Sequence, residues 1–172
     1  TNLPHVYLGP SAPPDDIASM MQALGVPVTN YDHDDQALLN DVADRLNQGE
    51  IVGWFHGKME FGPRALGARS ILADPRRGDM RDEINLRVKK RESFRPFAPA
   101  VLQTHAANHF DLNDNAPFMT ETCRVISPLS LPAVTHVDGS ARPQTVDKAH
   151  APRFAALLEA FYALTGCPIL LN

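Results

Sequence analysis

The sequence predicts an α/β (α+β) domain in which helices flank an open mixed sheet. Three observations lead there. Hydrophobic residues make up 44% and charged residues 21% of 172 positions, ordinary figures for a soluble domain with a buried core. The mass of 18.9 kDa lies within the usual span of one domain. Segments with helical spacing alternate with short apolar runs, but without the regularity of repeated βαβ units. This composition excludes disorder, collagen-like repeats and a disulfide scaffold. No run approaches the ~18 apolar residues of a membrane span. The polar, proline-bearing start TNLPHVYLGPSAPP does not read as a signal peptide. Two cysteines, Cys123 and Cys167, suit a reducing compartment, so a cytoplasmic location is expected.

Residues 1–13 read as a lead-in segment and residues 14–172 as the domain. Asp15 and Asp16 precede Ile17, Met20, Met21 and Leu24, with Gly25 as a stop: a helix with an acidic start. A second helix is expected from about Asp35 through Leu46, with Leu38, Leu39, Val42 and Leu46 on one stripe. Ile51 to Phe55 is a short apolar strand. A third helix opens at Asp79, where Met80, Ile84 and Val88 keep helical spacing and Leu86 falls off the stripe. Phe97 to Leu102 reads as a strand. Val134 to Val146 contains Asp138-Gly139, a hairpin signal between strand-like flanks. Pro152 to Leu164 is an amphipathic helix carrying Phe154, Leu157, Leu158, Phe161 and Tyr162. The apolar run Cys167 to Asn172 reads as a strand that stops abruptly, and the chain starts without Met. A domain fragment, truncated at its C-terminus, is the expectation.

Charge is unevenly spread. Net −4 argues against a surface that coats nucleic acid. Yet Lys58 to Arg95 holds eleven Lys/Arg against six Asp/Glu, leaving −9 for the remainder. Such a segment points to a local anion site. Its first half, Gly53 to Ser70, is a strand leading into a loop with glycines, Lys58, Arg64, Arg69 and the Ser70 hydroxyl. Glycines let backbone N–H groups approach an anion, and guanidinium forks match phosphate or carboxylate oxygens. Neither G-x-x-x-x-G-K-[ST] nor G-x-G-x-x-G is present. A glycine-rich turn with solvated arginines is the alternative. The second half, Val88 to Pro99, carries Lys89, Arg91 and Arg95 where a helix gives way to a strand. Cations are favoured at a helix C-terminus in any case, while Phe94, Pro96 and Phe97 could hold them rigidly. A third cluster places His136 and Asp138 on one strand face, with Arg142 beyond the turn. Asp138 before Gly139 is also ordinary turn chemistry.

Two further patterns are read as structural. Asp32-His33-Asp34-Asp35 fits helix capping better than metal binding. His105 and His109 are four apart on an expected helix but lack an adjacent third ligand.

The run Met59-Glu60-Phe61-Gly62-Pro63-Arg64-Ala65-Leu66-Gly67 is followed by Arg69-Ser70-Ile71-Leu72-Ala73-Asp74-Pro75, Ile84-Asn85, and Val88-Lys89 with Arg91-Glu92. Then come Phe94-Arg95-Pro96-Phe97-Ala98-Pro99, His136-Val137-Asp138-Gly139, Arg142 and Leu170-Leu171-Asn172. Together these resemble the C-terminal domain of the O-carbamoyltransferases that modify nodulation factors and antibiotics. The resemblance implies a YrdC-like fold, an open twisted mixed sheet flanked by helices. It implies binding of ATP, with Mg²⁺ on its phosphates, and of carbamoyl phosphate, to form carbamoyl-adenylate. A separate N-terminal domain of the same polypeptide, with its own metal, would pass the carbamoyl group to an acceptor hydroxyl. Lys89-Lys90-Arg91 matches the Lys-x-Arg pair of YrdC-like domains. Their later Ser-x-Asn pair would lie just beyond Asn172.

The residues expected to bind ATP and carbamoyl phosphate are Lys58, Arg64, Arg69, Ser70, Lys89, Arg91, Arg95, His136 and Arg142. No metal ligand is expected within the chain and no side-chain nucleophile is required. The competing readings are a non-catalytic YrdC-like module holding a nucleotide or RNA, and an interdomain docking surface.

Overall fold

A computed structural model describes residues 3–172. Helix α1 (Pro14–Leu24) starts on a proline and ends at Gly25 with φ 62°. It forms where expected, yet it buries none of its residues, so its apolar stripe is not part of the core. Helix α2 (Asp35–Asn47) is capped by Asp34, whose carboxylate accepts the Ala37 N–H at 2.9 Å. Within the acidic cluster before the helix, Asp34 is thus the cap, while Asp32 accepts the Asn30 amide and Asp35 pairs with Arg153. Strand β1 (Val52–Phe55) pairs antiparallel with β2 (Arg69–Leu72) across the glycine-rich loop.

Strand β3 (Pro99–Leu102) lies between β6 (Gln144–Val146), parallel to it, and β7 (Ile169–Leu171), antiparallel to it. Ala73 and Leu171 exchange both backbone hydrogen bonds, at 3.2 and 2.9 Å, tying β2 edge to edge with β7. The sheet is open and mixed, as the class requires. Helix α4 (Pro152–Thr165) packs on α2 and on β3 and β7. Phe154, Leu157, Leu158 and Phe161 of α4 are fully buried with Leu46, Leu72 and Ile169. Each such side chain stabilises the fold by ~1.5–3 kcal/mol. Among the described residues no helix is long and apolar enough to cross a membrane.

Two elements depart from expectation. The helix opening at Asp79 runs as α3 (Met80–Glu83) and then widens into π turns over Ile84–Lys89. Met80 and Ile84 are buried, but the wider winding rotates Val88 out to solvent and carries Asn85 fully inside. The hairpin over Val134 to Val146 is absent. Its turn exists, with His136 N–H donating to the Ser140 carbonyl at 2.7 Å, but the arms part. Strand β5 (Ser140–Ala141) pairs with β4 (Cys123–Arg124), and β6 joins β3. Pro143 stands between β5 and β6 and offers no N–H to a ladder. Val134 is drawn into the core instead of pairing. The segment with His105 and His109 forms a 3₁₀ turn, Gln103–Asn108, rather than an α-helix. The His105 ring meets Tyr162, and His109 Nδ1 lies 2.8 Å from Ser127 Oγ, so the two imidazoles have separate partners.

Candidate functional site

The glycine-rich loop is organised by one buried acid. Glu60 Oε1 accepts N–H groups from Leu66, Ala68 and Arg69 at 2.7, 2.8 and 3.2 Å. The lead-in segment lies along the loop. Phe61 N–H donates to the Val6 carbonyl at 2.7 Å, and Gly9 and Met59 N–H groups are paired with Met59 and Pro10 carbonyls at 2.9 Å. Tyr7 donates its hydroxyl to the Leu66 carbonyl at 2.7 Å. Burial, and then the Glu60 charge, push this phenol up to about 12, so it remains a donor. Gly67 sits at φ 108° under the Phe154 ring, which a Cβ would strike.

The second wall depends on Asn85. Its buried amide donates to the carbonyls of Ser93 (3.2 Å) and Arg95 (2.9 Å) and accepts Arg91 Nε at 2.7 Å. The Arg91 guanidinium also lies over the Phe97 ring, 4.9 Å from its centroid. Lys90 takes a left-handed conformation at φ 51°, turning the chain sharply between Lys89 and Arg91. A third contribution comes from the chain's last residue. Asn172 Nδ2 donates to Gln144 Oε1 at 2.9 Å and to the Ala65 carbonyl at 3.3 Å, while Gln144 Nε2 holds the Leu66 carbonyl at 2.8 Å. These amides tie β6 and β7 to the loop.

Where the walls meet there is a cavity of 240 Å³ bordered by Arg64, Arg69, Lys89, Arg91, Arg142 and Asn172. No Asp or Glu lines it. Its cations are incompletely compensated. Arg142 Nε is buried without a partner, as is Asn172 Oδ1. Burial and the neighbouring Arg64 hold Arg142 below the usual guanidinium range. Burial does the same to Arg91, with Arg95 adding to it and Glu92 opposing. Both stay charged at neutral pH, and with no carboxylate in the lining that charge is left uncompensated inside the cavity. An oxyanion would relieve it and supply acceptors. Arg69 is committed otherwise: it donates to the carbonyls of His56, Gly57 and Ala68 at 2.9–3.1 Å and stacks on Phe55. It forms wall rather than free charge. A hollow of 470 Å³ adjoins the cavity, lined by Phe61, Phe118 and Met119 and sharing Arg64 and Arg142.

Five of the nine residues expected from the sequence therefore border one cavity. The other four lie elsewhere. Lys58 lines a different cavity, with His56 and Arg153. Ser70 is buried, its Oγ accepting the Gly67 N–H at 3.0 Å. Arg95 is exposed and 3.7 Å from Glu92, a pair worth ~0–1 kcal/mol. His136 Nδ1 lies 3.0 Å from Ser140 Oγ, which in turn donates to Asp138 at 2.7 Å, so a serine stands between His136 and Asp138. Sequence reasoning missed Glu60, Asn85, Gln144 and Asn172 as organisers. The available signal was a polar side chain inside an apolar run, as at Ile84-Asn85-Leu86, or directly after one, as at Leu170-Leu171-Asn172.

Comparison with known proteins bears on this cavity. A family model described as carbamoyltransferase C-terminus matches residues 43–172. Nodulation protein NolO of Bradyrhizobium diazoefficiens is 44% identical over 99% of this chain and 32% of its own length. The 3'-hydroxymethylcephem-O-carbamoyltransferase of Amycolatopsis lactamdurans is 41% identical over 77% of this chain and 25% of its own length. An uncharacterized protein of Synechocystis is 41% identical over 96% of this chain and 31% of its own length. The chain spans about a third or less of these relatives. The family model covers every basic residue of the cavity and the strands that support it, and on that extent of match the chain belongs to the carbamoyltransferase C-terminus family.

Proposed function

We propose that this chain is the part of an O-carbamoyltransferase that binds MgATP and carbamoyl phosphate and joins them as carbamoyl-adenylate. A further domain of the same polypeptide then transfers the carbamoyl group to an acceptor hydroxyl. The observation that carries this reading is the cavity itself. Arg64, Lys89, Arg91 and Arg142 converge on it from three separate stretches, with no carboxylate in its lining. Reactants that together bring several phosphate charges need such a field, and fixed cations repay most where charge shifts during reaction. The adjoining hollow, with Phe61, Phe118 and Met119, offers an apolar bed for the body of the nucleotide. One relative is named for carbamoylating a hydroxymethyl group on a cephem, which supports a hydroxyl acceptor here.

In this scheme a carbamoyl oxygen forms a bond to the α-phosphorus of ATP. The bond from that phosphorus to the bridging oxygen breaks, and pyrophosphate leaves with the electron pair. Atom balance requires the phosphoryl group of carbamoyl phosphate to depart separately, to water, as inorganic phosphate. Arg64, Lys89 and Arg142 hold the phosphate oxygens in place; Arg91, fixed by Asn85, closes the opposite wall. Positioning and charge stabilisation suffice, so no side-chain nucleophile is invoked. The reading includes a YrdC-like architecture and a cytoplasmic location, supported by the open mixed sheet and by two free thiols, Cys123 and Cys167. The test is isotope exchange in the full-length enzyme: labelled pyrophosphate should enter ATP only when carbamoyl phosphate is supplied. Equally fast exchange without it would sink the carbamoyl-adenylate mechanism.

A further inference from the structure

A second cavity, of 330 Å³, lies on the other side of the glycine-rich loop and shares no lining residue with the first. His5 and Tyr7 of the lead-in, His56 and Lys58 of the loop, and His150 and Arg153 at the start of α4 surround it. Three histidines, a lysine and an arginine thus come together from three stretches of chain, and no carboxylate lines the space. The His5 ring is 5.9 Å from Tyr7 and 6.2 Å from His150.

Two buried polar atoms here lack partners: His5 Nδ1 and Arg153 Nε. Unpaired buried polar groups are uncommon because each costs ~1–3 kcal/mol. The rest of the cluster is accounted for. Arg153 Nη1 lies 3.3 Å from His56 Nδ1, and since a guanidinium only donates, His56 accepts there and keeps its proton on Nε2. Burial first, then Arg153, hold His56 below the usual imidazole range. Asp35 pairs with Arg153, and Asp147 with His150 at 2.7 Å, both from outside the lining. Lys58 is exposed and has no ion-pair partner among the described residues. Tyr7, Pro152 and Phe154 supply an apolar side to the same space. At this volume the cavity falls within the lower range of small-ligand pockets.

We propose that this cavity is a second anion site, taking a small phosphate, either free or as the monoester of a compact apolar body. It is distinct from the nucleotide cavity and goes beyond the carbamoyl-adenylate reading. Arg69 forms part of the partition, since its guanidinium grips the carbonyls of His56 and Gly57 on the second cavity's wall.

The experiment is calorimetric titration of the full-length polypeptide with inorganic phosphate and with phenyl phosphate. Wild type is compared with the double variant Arg64→Ala/Lys89→Ala, and that double variant with the same chain carrying Lys58→Gln or Arg153→Gln in addition. Phosphate binding should survive in the double variant, and either added substitution should weaken it tenfold or more. Tighter binding of phenyl phosphate would identify a monoester ligand, and equal binding free phosphate; both support the site. Absence of binding at millimolar phosphate in the double variant would overturn the proposal, as would unchanged affinity when Lys58→Gln is added to it. Arg153→Gln alone could unsettle α4 by freeing Asp35, so Lys58→Gln, on an exposed side chain, decides the matter. Because the double variant disables the nucleotide cavity, failure of the adenylation reading leaves this outcome separately readable.

Discussion

Arg64 and Lys89 are twenty-five residues apart in sequence and border one cavity, so each can be tested as a charge that acts on a ligand rather than on the fold. Replacing either with Ala removes a charge-assisted hydrogen bond, worth ~1.5–3 kcal/mol, or about ten- to a hundredfold in nucleotide or carbamoyl phosphate affinity. Neither has an ion-pair partner to lose among the described residues, so the melting temperature should hold. Titration of the two variants against wild type checks this, and unchanged affinity in both would return the side chains to simple solvation. That these two cations were worth singling out was legible in the sequence because a guanidinium or ammonium announces its charge wherever it stands; that they border one cavity is a property of the fold. Glu60 and Asn85 were not legible in that way. Their partners are backbone groups, the N–H of Leu66, Ala68 and Arg69 and the carbonyls of Ser93 and Arg95, and only the folded loops bring those into reach. For Lys58 the chemistry was equally visible, but the cavity it borders, with His56 and Arg153, was not.

At the level of elements, the loop between β1 and β2 is pinned from two sides, by Glu60 within and by Phe154 of α4 above Gly67. Gly67→Ala should therefore destabilise the chain twice over, through a positive φ costing ~1–3 kcal/mol and through overpacking against the ring costing ~1–3 kcal/mol. Gly25→Ala is the matched control, because Gly25 has φ 62° but open space around it. Urea midpoints for the two variants should differ, with Gly67→Ala the lower; equal midpoints would mean that the ring simply moves aside. Helices α2 and α4 were readable because periodicity and caps are local properties, as Asp34 before α2 illustrates. The hairpin was misread because pairing is not local. Its turn chemistry was correct, but the partners of its two arms, Cys123–Arg124 and Pro99–Leu102, lie outside the segment that signalled it. The π turns at Ile84–Lys89 escaped for a related reason: they accompany the bonds of Asn85 to the Ser93 and Arg95 carbonyls, partners eight and ten residues further along the chain.

For the molecule as a whole, the cavity is a junction of distant stretches: the loop through Arg64 and Arg69, the helix end at Lys89 and Arg91, Arg142 before β6, and Asn172 after β7. Its basic side chains face one another with no carboxylate in the lining, and burial, with Arg64 beside it, holds Arg142 below the usual guanidinium range. Filled by a polyanion, the same groups become cross-links between these segments, added to the core and to the Asn172 and Gln144 amide bonds. Ligand binding should consequently stabilise the entire fold. With nucleotide at about a hundred times its dissociation constant the gain is ~2.7 kcal/mol. For a chain of this size that corresponds to a rise in melting temperature of roughly 5–11 °C. MgATP with carbamoyl phosphate should give this rise in wild type and almost none in Arg64→Ala/Lys89→Ala. Sodium chloride at matched ionic strength separates specific binding from general screening, which acts over ~8 Å at physiological salt and would move both proteins alike. An equal rise in wild type and double variant would mean that the phosphates act as bulk counter-ions. No rise in wild type at any nucleotide concentration would mean that these stretches converge for packing alone.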